Sequence, residues 1–313
     1  MLGYIVRRLL ATIPVMGIVA LTVFSLLYLA PGDPAAIIAG DQATVAEIAK
    51  IRASLGLDQP YLVRFGHWLW QVVHGNLGTS VFTGQPVSAM IAERLEPTLA
   101  LMIFTMLIAI TVAVPLGVIA AWKHGSWIDR AIMVFAVLGF SVPVFVIAYL
   151  LAYVFGLVFR ILPVQGFEPL SRGFWPFLRG LILPSLALGA IYVALLARIT
   201  RAAMLEVLAQ DYVRTARAKG VGQRGVLFVH ALKNAANPVV TVAGLGVALL
   251  IGGTVVTETV FAIPGLGTLT VNAILERDYP MIQGVVLLFS FAYVLVNLIV
   301  DLLYSFFDPR IRL

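Results

Sequence analysis

Residues 211–238 read DYVRTARAKGVGQRGVLFVHALKNAANP, a polar and strongly basic segment set between two apolar runs. Asp211 is a good N-cap, Tyr212 to Lys219 has the length of two helical turns, and Arg217 and Lys219 suit the negative C-terminal end of a helix. Gly220 can take the left-handed conformation that stops it. A short, rigid helix followed by a sharp turn is therefore expected, on a surface that a soluble partner touches.

The sequence on either side places that helix in a membrane protein. The chain is 61% hydrophobic and 12% charged, with a mean hydropathy of +1.01, far more apolar surface than a soluble domain hides. Six windows, 9–31, 98–122, 131–159, 180–197, 238–257 and 281–300, carry no Asp, Glu, Lys or Arg. Each is long enough to cross roughly 30 Å of hydrocarbon. The expected fold is all-α with six transmembrane helices. Pro14, Pro115, Pro143 and Pro184 fall inside the windows, where neighbouring helices can satisfy the freed carbonyls, so kinks are expected rather than breaks.

Charge sets the orientation. With the N-terminus inside, 13 of the 21 basic residues and 5 of the 15 acids are cytoplasmic, including Arg198, Arg201, Arg214, Arg217, Lys219, Arg224 and Lys233. Both termini then lie in the cytoplasm, and the isoelectric point of 9.7 follows from topology. Nucleic acid is excluded as a partner because the basic residues are split among membrane flanks without interleaved aromatics. Arg7 and Arg8 resemble a signal-peptide n-region, but the apolar run after them is too long for an h-region and lacks a cleavage site, so an uncleaved first helix is expected. With no cysteine in the sequence, disulfides and thiolate chemistry are absent.

Three regions follow: a first transmembrane helix in 1–31, an external helical segment in 32–97, and a five-helix core in 98–313 that contains the basic cytoplasmic loop 198–237. Within the external segment, Thr44 with Glu47 fits a capping box, and Ile48, Ile51 and Leu55 share a face ended by Gly56. Asp58 can cap a helix begun by Pro60, with Tyr61, Leu62, Phe65, Trp68, Leu69 and Val72 as its apolar face. Gly75, Gly78 and Gly84 then precede a third short helix near 87–95. Trp68 and Trp70 suit packing against the bilayer interface or the bundle; a private substrate site is the other reading.

Chemistry is missing from this chain. There is no Walker A sequence, G-x-S-x-G or H-E-x-x-H; His67 and His74 are only two histidines, His124 and His230 have no partner at useful spacing, and Gly265-Leu266-Gly267 reads as a turn. No catalytic residue, metal or cofactor is expected on it. The charge-free windows also lack the buried ionisable groups of a proton-coupled carrier. Energy for transport then enters from outside the bilayer, and the basic helix is the place for it.

The same segment resembles the EAA loop of ABC importer permeases, E-A-A, three residues, Gly, nine residues, then I-x-L-P. Ala216, Gly220 and Leu232 match, while Arg214, Thr215, His230 and Lys233 depart. The departures resemble the dipeptide and oligopeptide branch, D-Y-x-R-T-A-x-A-K-G followed by H-x-L-x-N, matched by Asp211, Tyr212, Arg214, Thr215, Ala216, Ala218, Lys219, Gly220, His230, Leu232 and Asn234. Pro31-Gly32-Asp33-Pro34, Gly56-Leu57-Asp58-Gln59-Pro60, Glu258 with Phe261, Pro264-Gly265-Leu266-Gly267, and Asp308-Pro309-Arg310 extend the resemblance along essentially the whole chain.

That resemblance implies the type I ABC importer permease fold in a bacterial cytoplasmic (inner) membrane. It also implies a homologous second permease subunit, two cytoplasmic ATPase subunits that bind ATP and Mg, and an extracytoplasmic substrate-binding protein. Asp211, Tyr212, Arg214, Thr215, Ala216, Arg217, Lys219, Gly220 and Arg224 become the ATPase-coupling residues, although the four basic ones also fit the positive-inside bias. Thr254, Thr257, Glu258 and Asn297 are candidates for the translocation path or an external gate. Small residues such as Thr241, Gly244, Gly246, Gly252 and Gly253 suit either close helix packing or an exposed path. Di- or oligopeptides are the favoured cargo, with glutathione next and nickel last. A stand-alone secondary carrier or channel, or a scaffold without transport, are the alternatives of other classes.

Overall fold

The structure, a computed structural model, describes residues 2–29, 33–39, 43–54 and 56–307. Pro31, Gly32, Leu55 and Asp308-Pro309-Arg310, singled out above, lie outside the described residues. The helices are α1 (Leu2–Leu29), α2 (Pro34–Ala39), α3 (Val45–Ser54), α4 (Tyr61–Val73), α5 (Val87–Trp122), α6 (Trp127–Ser141), α7 (Val144–Leu151), α8 (Phe174–Leu208), α9 (Asp211–Ala218), α10 (Leu232–Val260), α11 (Leu266–Leu275) and α12 (Tyr279–Phe307). Wider π turns, Ala152–Val158 and Gly225–Ala231, continue α7 and lead into α10.

Among the described residues, five helical runs are long and apolar enough to span a membrane: Leu10–Leu29, Val87–Trp122, Phe174–Leu208, Gly225–Val260 and Tyr279–Val300. The third expected window is different. It is split into Trp127–Ser141 and Val144–Val158, bent by 103° at the break, so the count is six only if this pair is one span. Pro143 breaks the helix where a kink was expected. Its ring disfavours helical backbone at the residue before it, and Val142 is accordingly extended at φ −86° and ψ 127°. Pro14, Pro115 and Pro184 stay within continuous helices, as expected.

The chain divides into two compact units. The first comprises residues 1–95 and 268–294. Its centre is Phe24 of α1, 1% exposed, whose ring meets Tyr61, Phe65 and Trp68 of α4 at 5.3–5.4 Å. Trp68, Leu69 and Val72 complete the cluster against Ala20, Val23 and Leu287. Trp70 stands apart, 67% exposed. The capping box forms as expected: the Thr44 amide donates to Glu47 at 2.7 Å and the Glu47 amide to the Thr44 hydroxyl at 3.3 Å. Accepting from the Thr44 amide and hydroxyl holds the Glu47 carboxyl below its ordinary range. Asp58 does not cap α4, which starts from Pro60 with no side-chain cap. The third short helix is likewise not separate; residues 87–95 begin α5, which runs through Pro97 without interruption.

Asp278 organises the other part of this unit. At 3% exposure it N-caps α12 through the Met281 amide at 3.3 Å and accepts from the Ser80 hydroxyl and the Val81 amide. The turn around residue 80 is thereby fixed to the start of α12. Gly284 lets α12 approach α5 there, since a Cβ would fall 2.6 Å from Val87 Cγ1.

The second unit comprises residues 96–267 and 295–313. Its axis is α8, packed against α6, α7 and α10. Without a hydrophobic drive between helices in lipid, close packing requires small residues at the crossings. A Cβ on Gly117 would lie 2.5 Å from Thr200, and one on Gly246 would lie 3.1 Å from Met106 and 3.2 Å from Tyr192. Gly244 is closed in the same way by Val300. Gly252 has no such neighbour.

Candidate coupling surface

The two sides of α9 differ in a way its eight residues dictate. Val213 and Ala216, three apart and therefore on one face, are 0% and 9% exposed. They anchor α9, which packs on the Gly225–Ala231 turn. That turn is seated in an apolar cluster of Val118, Ala121, Met204, Leu227, Ala231 and Ala235. Full burial of a valine side chain is worth roughly 1.5–3 kcal/mol, enough to seat a helix too short to persist alone. Asp211, Tyr212, Arg214, Thr215, Arg217, Lys219 and Arg224 face outward.

The stop is a Schellman turn. Gly220 has φ +81°, its amide donates to Arg217 at 3.0 Å, and the Val221 amide reaches back to Ala216 at 3.1 Å. Gly220 thus takes the left-handed stop that the sequence suggested. Asp211 differs from expectation: the N-cap is Gln210, without a side-chain bond, and Asp211 is the first helical residue. There its charge still favours the positive helix end, and its 3.4 Å pairing with Arg214 is fully in solvent.

One support of this surface escaped sequence reasoning. Arg201, on α8 ten residues before Asp211, grips Asp129 at the start of α6 through two bonds of 2.6 and 2.8 Å. Asp129 is 3% exposed and also accepts from the Gly125 amide at 3.0 Å, with His124 Nδ1 at 3.3 Å. The fork ties the 123–126 turn to the helix that carries α9. A signal existed: Asp129 is the sole acid between Glu96 and Glu168.

Of the four path or gate candidates, Thr254, Thr257 and Glu258 are buried within one turn of each other on α10. Glu258 is 0% exposed, accepts from the Thr98 hydroxyl at 2.7 Å, and Thr98 in turn accepts from the Leu266 amide at 2.8 Å. Gly265 and Gly267 close over it, for a Cβ on Gly265 would collide with the Glu258 carboxyl and one on Gly267 would lie 2.7 Å from the Val255 Cα. The Gly265-Leu266-Gly267 motif is therefore the lid of a buried carboxylate. Thr254 and Thr257 are 0% exposed, and their hydroxyls have no hydrogen-bond partner among the described residues. Asn297 is half-buried on α12. Among the described residues no group of three or more His, Cys, Asp or Glu is placed to hold a metal ion.

The fold is thus a bundle of membrane-length apolar helices that presents a short, anchored polar helix, α9. The chain belongs to the binding-protein-dependent transport system inner membrane component family, whose model matches residues 113–313; the N-terminal model of the same system matches residues 1–102. It is a multi-pass inner-membrane protein. It is 54% identical over 309 residues to the probable peptide ABC transporter permease protein y4tP of Sinorhizobium fredii, covering 99% of both chains. The dipeptide transport system permease protein DppB of Alkalihalophilus pseudofirmus is 42% identical over 332 residues, with all of each chain covered. The glutathione transport system permease protein GsiC of Salmonella choleraesuis is 46% identical over 312 residues, covering 100% of this chain and 99% of that one. Among solved structures, the inward-facing MetNI methionine ABC transporter shares the fold, with a TM-score of 0.58 at 15% identity over 70% of this chain and 96% of the other.

Proposed function

We propose that this permease forms half of a peptide translocation path with a second, homologous permease, and that two cytoplasmic ATPases drive it by docking on α9. An extracytoplasmic binding protein delivers the cargo. ATP and Mg are bound by the ATPases and not by this chain. Both termini are cytoplasmic, which puts α9 on the side where ATP is found. The observation that carries the reading is the two-sided α9: Val213 and Ala216 bind it to the core while Tyr212, Arg214, Arg217 and Lys219 project outward.

A rigid helix of this kind passes a push into α8 and α10 rather than absorbing it, because the Schellman turn and the buried anchors leave it little freedom. The guanidinium groups offer forked, charge-assisted contacts to carboxylates on the docking partner. The cargo is a di- or oligopeptide, supported by relatives named for peptide, dipeptide and glutathione transport. Thr254, Thr257, Glu258 and Asn297 contribute to the path by holding helix positions near it.

The test is uptake of labelled dipeptide, glutathione and nickel by the reconstituted complex with its binding protein, with ATP sealed inside the vesicles or omitted. Peptide uptake that requires ATP is expected. Uptake undiminished without ATP supports a stand-alone carrier and refutes the proposal; uptake of nickel alone refutes the cargo but not the drive.

A further inference from the structure

The span that breaks at Pro143 turns its polar side chains outward. Between residues 131 and 159 these are Ser141, Tyr149 and Tyr153. Ser141 is exposed, and the two tyrosines are each 61% exposed. Elsewhere in the spans Thr105, Ser185, Tyr192, Thr254 and Thr257 turn inward, at most 8% exposed. Lipid tails offer a hydroxyl no hydrogen bond, and polar side chains in a membrane bundle accordingly face protein or water. The face that carries Tyr149 and Tyr153 is therefore not a lipid face.

The backbone beside it points the same way. The 15 residues of α6 rise about 22 Å, so the 103° break falls within the roughly 30 Å of hydrocarbon. Pro143 brings no N–H to the Gly139 carbonyl, and among the described residues no backbone amide across the break donates to Phe140 or Ser141. Carbonyls freed at that depth persist only inside protein or beside a water-filled cavity. Beyond the break, α7 packs on α8 and α10 and buries Ala148 and Ala152. Tyr149 and Tyr153, four residues apart, share the opposite face, and their hydroxyls have no partner among the described residues.

We propose that the break and the Tyr149–Tyr153 face form a contact site for the peptide in transit, an inference that rests on the peptide-permease reading above. The carbonyls of residues 139–141, at the negative end of α6, take the peptide ammonium group, and the two phenols hydrogen-bond its main chain. A phenol both donates and accepts, so it pairs with a peptide amide whatever the side chains are. One helical turn between the phenols, about 5.4 Å, is close to the roughly 6.6–7.2 Å that two extended residues span. A second permease is the other group able to cover this face. Close helix crossings use small residues, however, and this face presents Phe145, Tyr149, Leu150 and Tyr153, all at least 48% exposed.

The test is thiol labelling of the reconstituted transporter complex carrying Tyr149→Cys, Tyr153→Cys or Ile103→Cys. Ile103 lies in the exposed apolar row Leu99, Ile103 and Leu107 of α5 and serves as the lipid-facing control. A charged methanethiosulfonate is expected to modify the two α7-face positions at least tenfold faster than Ile103→Cys. With ATP present, dipeptide-loaded binding protein should slow that modification at least threefold relative to empty binding protein. The pair Tyr149→Phe/Tyr153→Phe, which keeps both rings and removes only the hydroxyls, should cut labelled dipeptide uptake at least threefold. Modification no faster than at Ile103→Cys, as a covering second permease would give, overturns the proposal; so does modification indifferent to cargo, or wild-type uptake by the phenylalanine pair. Any of these beside ATP-dependent dipeptide uptake by the wild type removes the contact site and leaves the permease reading standing, whereas a wild type that takes up no dipeptide removes both.

Discussion

Replacing Gly220 by valine tests the coupling surface through a single torsion angle. Its φ of +81° lies in the left-handed region, and a Cβ built there meets nothing within 4 Å, so the cost is conformational and not steric. Forcing a residue with a Cβ into that region costs roughly 1–2 kcal/mol, more for a branched side chain. A loss of that size lowers the ratio of turned to unturned chain by a factor of about 5–30. In proteoliposomes holding the full complex, Gly220→Val should cut labelled dipeptide uptake at least fivefold while ATP hydrolysis continues without stimulation by loaded binding protein. Gly222→Ala is the internal control, since Gly222 has no positive φ and open space around its Cβ. Wild-type uptake by Gly220→Val, or equal damage from Gly222→Ala, refutes the reasoning.

Other predictions concern the supports of that surface. Val213→Ala removes two fully buried methyl groups and should cost roughly 1.5 kcal/mol, read as a lower melting temperature of the purified complex together with faster proteolysis near residue 213. Asp129→Ala strips Arg201 of its forked partner and should destabilise by about 3 kcal/mol in thermal inactivation, whereas Asp129→Leu/Arg201→Met should recover most of the loss. Gly265→Ala drives a methyl group into the Glu258 carboxyl and should abolish complex assembly, while Glu258→Ala in the same chain should restore part of it on size-exclusion chromatography.

The sequence made the helical class legible because absence of charge over whole windows is a strong signal in a membrane, and each long span stands where that signal lies. Pro143 was misread because a proline kink and a proline break share one composition; only the extended Val142 separates them. The helix at 211–218 and the Gly220 stop were legible from local rules of capping and handedness. Its N-cap was not, since Asp211 favours the first turn as well as the cap. The Asp129–Arg201 fork joins residues 72 apart, a distance that no local pattern reports. Glu258 could be marked as a notable acid from its position, but that Gly265 and Gly267 are glycine in order to cover it is visible only once the turn folds back on α10.

The central claim is that α9 touches an ATPase, and the sequence makes its test clean because the chain has no cysteine of its own. Single cysteines at Tyr212, Arg217 and Trp70 would each be labelled with benzophenone maleimide, whose ring inserts into a neighbouring C–H bond on irradiation, in the assembled complex. The account predicts covalent permease–ATPase products from Tyr212→Cys and Arg217→Cys, changing in yield when ATP is added, and none from Trp70→Cys. Absence of ATPase product at both α9 positions in an active complex would contradict it.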